Sequence, residues 1–195
     1  MSQHTRTPRP SPNSPWVIDT RELGRRAGAS RSVRRTAPAE TPLGVAGVIE
    51  VPAGSPVELD LLLESVVEGV LVSGTAAAAL VGECARCLDP ISDEVEVELT
   101  ELFAYPDSTT EETTDVDEVS HLVDDLIDLE QTVRDAIVLA LPAAPTCTPD
   151  CRGLCPECGL KWADLGPDHR HETIDPRWAV LSSFGDASPD EDRAN

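Results

Sequence analysis

The cysteine spacing constrains this chain more than any other feature. Cys84-Ala-Arg-Cys87 is one pair, Cys147 and Cys151 a second, Cys155-Pro-Glu-Cys158 a third, and His169-Arg-His171 follows as a pair of imidazoles. Eight soft donors suffice for two closed tetrahedral sites. A C-x-x-C lets two thiolates grip one ion from a tight turn, and Gly159 gives the backbone freedom just after the second thiolate. Four of the six cysteines fall within twelve residues beside Gly and Pro, which argues against buried free thiols. A redox C-x-x-C ordinarily opens a helix, whose N-terminus lowers the thiol pKa. Here Cys87 is followed by Leu-Asp-Pro90 and then a strand pattern. Spacing alone leaves the combination open. Cys84, Cys87, Cys155 and Cys158 would also make a single site, and His169-x-His171 is tighter than common His spacings, so exposed loop histidines are the alternative.

Metal would also help a chain short of bulk. Aromatics are only 3% of its 195 residues, so few large rings are available for the core and a cross-link is useful. That length allows one domain, or one domain plus a small appendage. The net charge of -21 is unevenly spread. Residues 1–36 hold eight Arg against two acids, whereas residues 37–195 hold seven cations against 34 acids. An acidic body repels phosphate backbones, which argues against broad nucleic-acid binding by it. Only the basic arm, with Arg25, Arg26, Arg31, Arg34 and Arg35, offers an RNA footprint; a solvated tail is the bland alternative. No segment reaches the roughly 20 apolar residues of a membrane span. The polar, Pro-rich start lacks the apolar stretch of a secretory signal. We expect a cytoplasmic location, where structural disulfides are rare.

The predicted organisation is a largely disordered basic arm over residues 1–36, with a short anchored segment at Trp16, Val17, Ile18 and Leu23. A β core with one helix covers residues 37–146, a Cys/His zinc-binding region covers 147–185, and a loose tail covers 186–195. Five runs read as strands: Val45 to Val51, Val57 to Leu63, Val66 to Val72, Thr75 to Val81, and Val95 to Leu99 with its alternating glutamates. Short strands with short connections imply an antiparallel sheet. Residues 106–120 form an acidic loop. Asp128 is placed to N-cap a helix from Leu129 to about Ala140, with Gln131 completing a capping box and Val133, Ile137 and Ala140 on one face. Pro142 and Pro145 stop it. A second helix starts at Asp175-Pro176 and runs through Trp178, Leu181 and Phe184. The fold class is α+β: an antiparallel sheet, partly an open barrel, with a packed helix and a C-terminal zinc knuckle plus short helix.

These motifs together resemble the YceD family, the large-ribosomal-RNA accumulation proteins, in its actinobacterial form. The resemblance rests on Glu68-Gly-Val-Leu-Val-Ser73, Gly82-Glu-Cys-Ala-Arg-Cys-Leu88, Asp128-Leu-Glu through Leu139-Ala-Leu-Pro142, Cys147-x-x-Asp-Cys151-x-Gly-Leu-Cys155-Pro-x-Cys158-Gly159, and Asp175-Pro-Arg-Trp178. Some members carry C-x-C where this chain has His169-Arg-His171. The resemblance therefore implies two Zn²⁺ sites, one from Cys84, Cys87, Cys147 and Cys151 and the other from Cys155, Cys158, His169 and His171. It further implies a role in 23S rRNA accumulation and large-subunit assembly, with ribosomal large-subunit proteins or assembly factors as partners. We expect no enzyme: the sequence has no G-x-x-x-x-G-K-S/T, no G-x-G-x-x-G and no H-E-x-x-H. His121, Asp124 and Asp125 read as solvated surface groups. The alternative function is RNA binding by the zinc knuckle through Lys161, Trp162 and Arg152.

Overall fold

Alternation of apolar and charged residues builds the main sheet. The computed structural model describes residues 9–108 and 119–171 together with Arg177. In β5 (Pro56–Ser65), Val57, Leu59, Leu61 and Leu63 are buried while Glu58 and Asp60 are exposed. That is the period-two pattern of a strand with one wet face. Strand β6 (Gly69–Glu83) pairs antiparallel with β5 from Ser65↔Val70 to Val57↔Ala78. Its other edge pairs with β7 (Pro90–Ala104) over the full length, from Gly69↔Ala104 to Glu83↔Pro90. Beyond β5, the hairpin of β3 (Leu43–Val45) and β4 (Ile49–Val51) continues along the first edge of β6. Strand β2 (Ser30–Pro38) flanks β5, and the two-residue β8 (Ser120–His121) runs parallel to the end of β7. The sheet thus ends at β2 and, beyond β5, at β3 on one side and, along most of its length, at β7 on the other.

A separate two-stranded ribbon joins β1 (Val17–Asp19) to β9 (Leu126–Asp128). The helix α1 (Glu130–Ala140) follows β9 directly and buries Val133 and Ile137, one turn apart on one face. These meet Leu61, Leu63, Val72 and Ile127 in one continuous core. Gly74 marks where β5 and β6 press together. Its φ is +146°, and a Cβ there would run into the Asp60 carbonyl and the Leu61 Cα. No helix among the described residues is long and apolar enough to cross a membrane.

Several expectations change. The basic arm is not disordered from Trp16 onward. Trp16, Val17 and Ile18 are buried as anchors, and residues 30–38 form a nine-residue strand in register with β5. The Arg run pairs because Val33 and Ala37 face the core side with Arg35, whose guanidinium donates to the carbonyls of Pro15 and Val17. Runs three and four are one strand, since β6 crosses Gly74 without leaving the ladder. The capping box does not form: Gln131 donates to Asp135 at 2.8 Å, while the Asp128 carboxylate accepts from the Glu130 amide at 3.1 Å. Ala140 is exposed at the helix end. The chain divides into two compact units between Cys151 and Arg152, so the Cys147–Cys151 pair belongs with the β core. The second helix, the tail 186–195 and most of the acidic loop lie outside the described residues.

Candidate metal centres

The β6–β7 hairpin closes on a cysteine turn. Cys84 directly follows β6, and Pro90 opens β7. The Cys84 amide donates to the Asp89 carbonyl at 2.7 Å, and the Leu88 amide donates back to the Cys84 carbonyl at 2.9 Å. The second unit repeats this pattern. The Cys155 amide donates to the Leu160 carbonyl at 2.7 Å, and the Gly159 amide to the Cys155 carbonyl at 2.8 Å. In both turns the residue after the second cysteine is left-handed, Leu88 at φ 61° and Gly159 at φ 70°. Sequence reasoning noted Gly159 and missed Leu88. The signal available was position, the residue immediately after each C-x-x-C.

The segment after α1 completes the first group. The Ala85 amide donates to the Pro145 carbonyl and Arg86 Nη1 to the Cys151 carbonyl, both at 2.8 Å. These bonds hold Cys147 and Cys151 against the hairpin turn. Cys84 Sγ then lies 3.7 Å from Cys151 Sγ, and Cys87 Sγ lies 3.6 Å from Cys147 Sγ. A disulfide would need about 2.05 Å, so these are four free thiols. Zinc–sulfur bonds of about 2.3 Å in a tetrahedron set the sulfurs about 3.8 Å apart. The observed edges match that spacing.

The second group gathers Cys155, Cys158, His169 and His171. His169 Nε2 lies 3.4 Å from Cys155 Sγ and 3.7 Å from Cys158 Sγ. A zinc tetrahedron predicts about 3.6 Å for such mixed edges. The His171 Nε2 to His169 Nε2 distance of 2.9 Å is tighter than the ideal edge of about 3.3 Å. Within each group the donor atoms all lie within 4.8 Å of one another. The described residues thus form two donor sets whose chemistry and spacing fit a tetrahedral ion. Trp162 sets its ring at 5.4 Å against His169, edge to face, and the Arg152 guanidinium sits 5.3 Å over Trp162. Both residues therefore brace the site from outside.

Electrostatics separate the thiols. The amide of Cys147, then those of Cys87 and Arg86, donate to Cys84 and bring its pKa down to about 6. The amide of Cys158, with His169 and the Glu157 amide, does the same for Cys155, again to about 6. The Asp89 amide favours the Cys87 thiolate, but burial and the neighbouring thiols outweigh it and push Cys87 up to about 12. Cys147 is also raised: Cys87 lowers it, and Cys151, burial and Cys84 together prevail. Closely set thiols cannot all ionise without a cation to offset their charge.

Four of the five arginines of the expected RNA footprint are engaged within the fold. Arg25 pairs with Asp125 at 3.2 Å and Asp107 at 3.6 Å, and lies over the Tyr105 ring. Arg31 pairs with Glu22 at 3.0 Å, Arg34 with Asp60 at 2.9 Å, and Arg35 holds backbone carbonyls. Arg26 is exposed in the turn before β2. Residues 30–38 of the expected arm are instead an edge strand, on which Arg31 and Arg34 face carboxylates and Arg35 faces backbone carbonyls.

Two outcomes follow from this geometry. Adding Zn²⁺ to metal-free chain at neutral pH should release protons, but fewer than the six cysteines carry. Cys84 and Cys155, at about 6, are already mostly thiolate, whereas Cys87 and Cys147 must ionise to bind. Below about pH 6 the first two thiols reprotonate as well, so affinity should fall more steeply there. Titration calorimetry in buffers of different ionisation enthalpy reads the proton count. Gly159→Ala meets no atom within 4 Å but must hold a left-handed backbone. It should cost about 1 kcal/mol, roughly fivefold in zinc affinity, in chelator competition.

Comparison with known proteins agrees with the motifs. An uncharacterised protein of Mycobacterium tuberculosis is 53% identical over 179 residues, covering 92% of this chain and 86% of its own. One from Mycobacterium leprae is 48% identical, covering 88% and 78%. The protein YlbN of Bacillus subtilis, also uncharacterised, is 28% identical over 112 residues, covering 56% and 63%. No solved structure matches the chain. Residues 72–185, which include every cysteine and both histidines of the two donor sets, match the model described as large ribosomal RNA subunit accumulation protein YceD, and the chain belongs to that family.

Proposed function

We propose that this chain is a non-enzymatic zinc protein that supports 23S rRNA accumulation and large-subunit assembly by holding a basic protein partner. The family description supplies the ribosomal context. The zinc reading rests on the two four-donor sets. Four protein ligands close each tetrahedron and leave no position for an activated water, so the ions brace structure and perform no turnover. The C-terminal set then acts as a zinc knuckle, with free thiols maintained by a cytoplasmic location.

The observation that carries the adaptor role is the outer face of the main sheet. Glu58, Asp60 and Glu64 of β5 and Glu94, Glu96 and Glu98 of β7 share it, with Arg34 as the neighbouring cation on β2. Such a face attracts a ribosomal protein or assembly factor and repels RNA. Direct RNA contact has less support, because four of the five arm arginines are engaged within the fold. In the alternative knuckle reading, Trp162 would stack on bases, yet it already lies between Arg152 and His169.

Elemental analysis should find two zinc ions per chain, with Cys84→Ser and His169→Ala each losing one. Affinity purification followed by mass spectrometry should enrich large-subunit proteins. Wild-type chain that is metal-free yet folded would end the zinc reading, and enrichment of no large-subunit protein would end the adaptor reading.

A further inference from the structure

Strand β7 leaves most of one edge unpaired. Its inner edge bonds β6 throughout, whereas only Phe103 and Ala104 pair with β8 on the outer edge. The alternation of the antiparallel ladder fixes which residues face out. The Tyr105 amide bonds the Glu68 carbonyl, continuing the β6 ladder, so the odd positions of β7 bond β6. The Ala104 carbonyl accepts from Leu122 on the other side, so the even positions face outward. Ser92, Glu94, Glu96, Glu98 and Thr100 therefore present backbone groups without a strand partner among the described residues; the Glu94 amide is turned onto the Asp93 carboxylate at 2.9 Å.

An open cleft of about 770 Å³ lies beside this edge, between Glu98–Phe103 of β7 and the polar flank of α1. Glu98, Glu101, Asp128, Glu130 and Asp135 line it, and no Lys or Arg does among the described residues. Gln131 and Thr132 complete the wall on the helix side. An added strand would find backbone donors and acceptors on one side and helix side chains above it.

We propose that the outer edge of β7 receives an extended, basic protein segment as an additional strand. Main-chain hydrogen bonds from the even positions would give affinity, and the carboxylates on both walls would select Lys- and Arg-rich sequences. Glutamates on a sheet edge commonly guard against aggregation. Here they also decide the occupant: a second copy of this chain, at a net charge of -21, would set glutamate against glutamate. This deepens the adaptor reading and rests on it for the partner's role, but not for the binding itself.

The test uses full-length, zinc-loaded chain and a fluorescent peptide of about ten residues alternating Lys and Val, long enough for one strand. A second peptide of the same sequence is N-methylated at alternate residues, which keeps charge and removes donors. Anisotropy at low salt should show the methylated peptide binding at least tenfold more weakly. Replacing Glu96 and Glu98 together by Pro removes two outward amides and leaves the β6 ladder intact. That variant should lose at least tenfold, and the matching Gln pair, which keeps both amides, should lose less. Equal binding of the two peptides, no binding at low salt, or a dimer abolished by the Pro pair would each overturn the proposal. Peptide binding without enrichment of large-subunit proteins would leave the edge standing and remove the adaptor role. Large-subunit proteins captured equally by the Pro variant would do the reverse.

Discussion

The β6–β7 hairpin is the member on which the other parts of the β core depend. Fifteen consecutive residue pairs tie its arms together, and β6 carries β5 and β4 on its remaining edge. Gly74 allows β5 to approach that edge without distorting the ladder. The hairpin turn is itself a C-x-x-C, so the longest ladder of the sheet ends in two thiols. A donor set built at the end of rigid elements needs little reorganisation to accept an ion. Its partners arrive from far along the chain: 60 residues separate Cys87 from Cys147. An ion bridging that interval would close a long loop and so restrict the unfolded chain, where a cross-link acts most strongly.

Thiol electrostatics show what a cation would offset in such a set. Backbone amides bring the first cysteine of each turn down to about 6: that of Cys147, with those of Cys87 and Arg86, for Cys84, and that of Cys158, with that of Glu157 and with His169, for Cys155. Against the favourable Asp89 amide, Cys87 faces the opposite pressure, from burial and from Cys84, Cys147 and Cys151. Hydrogen bonds thus prepare Cys84 and Cys155 as thiolates, whereas Cys87 and Cys147 are penalised. A divalent ion reverses that penalty. The imidazoles of the second set add no negative charge, so four donors there cost less to assemble.

Much of the fold could be read from period and punctuation. The alternation of β5 and the glutamate-valine alternation of β7 gave strands because one face is wet. Val133 and Ile137 gave the helix its buried stripe. The β2 strand stayed hidden because its core-side positions hold Arg31 and Arg35 beside Val33 and Ala37, so the apolar period is broken. Arg35 is tolerated there because it reaches the carbonyls of Pro15 and Val17, a tertiary contact that no local pattern encodes. The gap at Gly74 split β6 into two runs, yet that glycine sits inside the strand, where neighbouring backbone leaves no room for a side chain. The donor residues were legible from spacing. Their grouping was not: it came from resemblance, because the Cys147–Cys151 segment meets the hairpin turn through the Ala85–Pro145 and Arg86–Cys151 bonds.

The two cysteine turns differ in one informative residue. Their backbone hydrogen bonds are the same, and both place the residue after the second cysteine in the left-handed region. The first turn puts Leu88 there, with 61% of its surface exposed, so packing does not repay the strain. An L-residue in that conformation costs about 1–2 kcal/mol. Such strain persists where surrounding structure over-determines the backbone. The long β6–β7 ladder supplies that determination for Leu88. The second turn sits in the smaller unit, supported by the Leu154↔Lys161 bridge and the bond from the Trp162 amide to the Gly153 carbonyl. With so little scaffold to hold a strained residue, that turn uses glycine, so the choice between Leu88 and Gly159 follows from how much fold stands behind each.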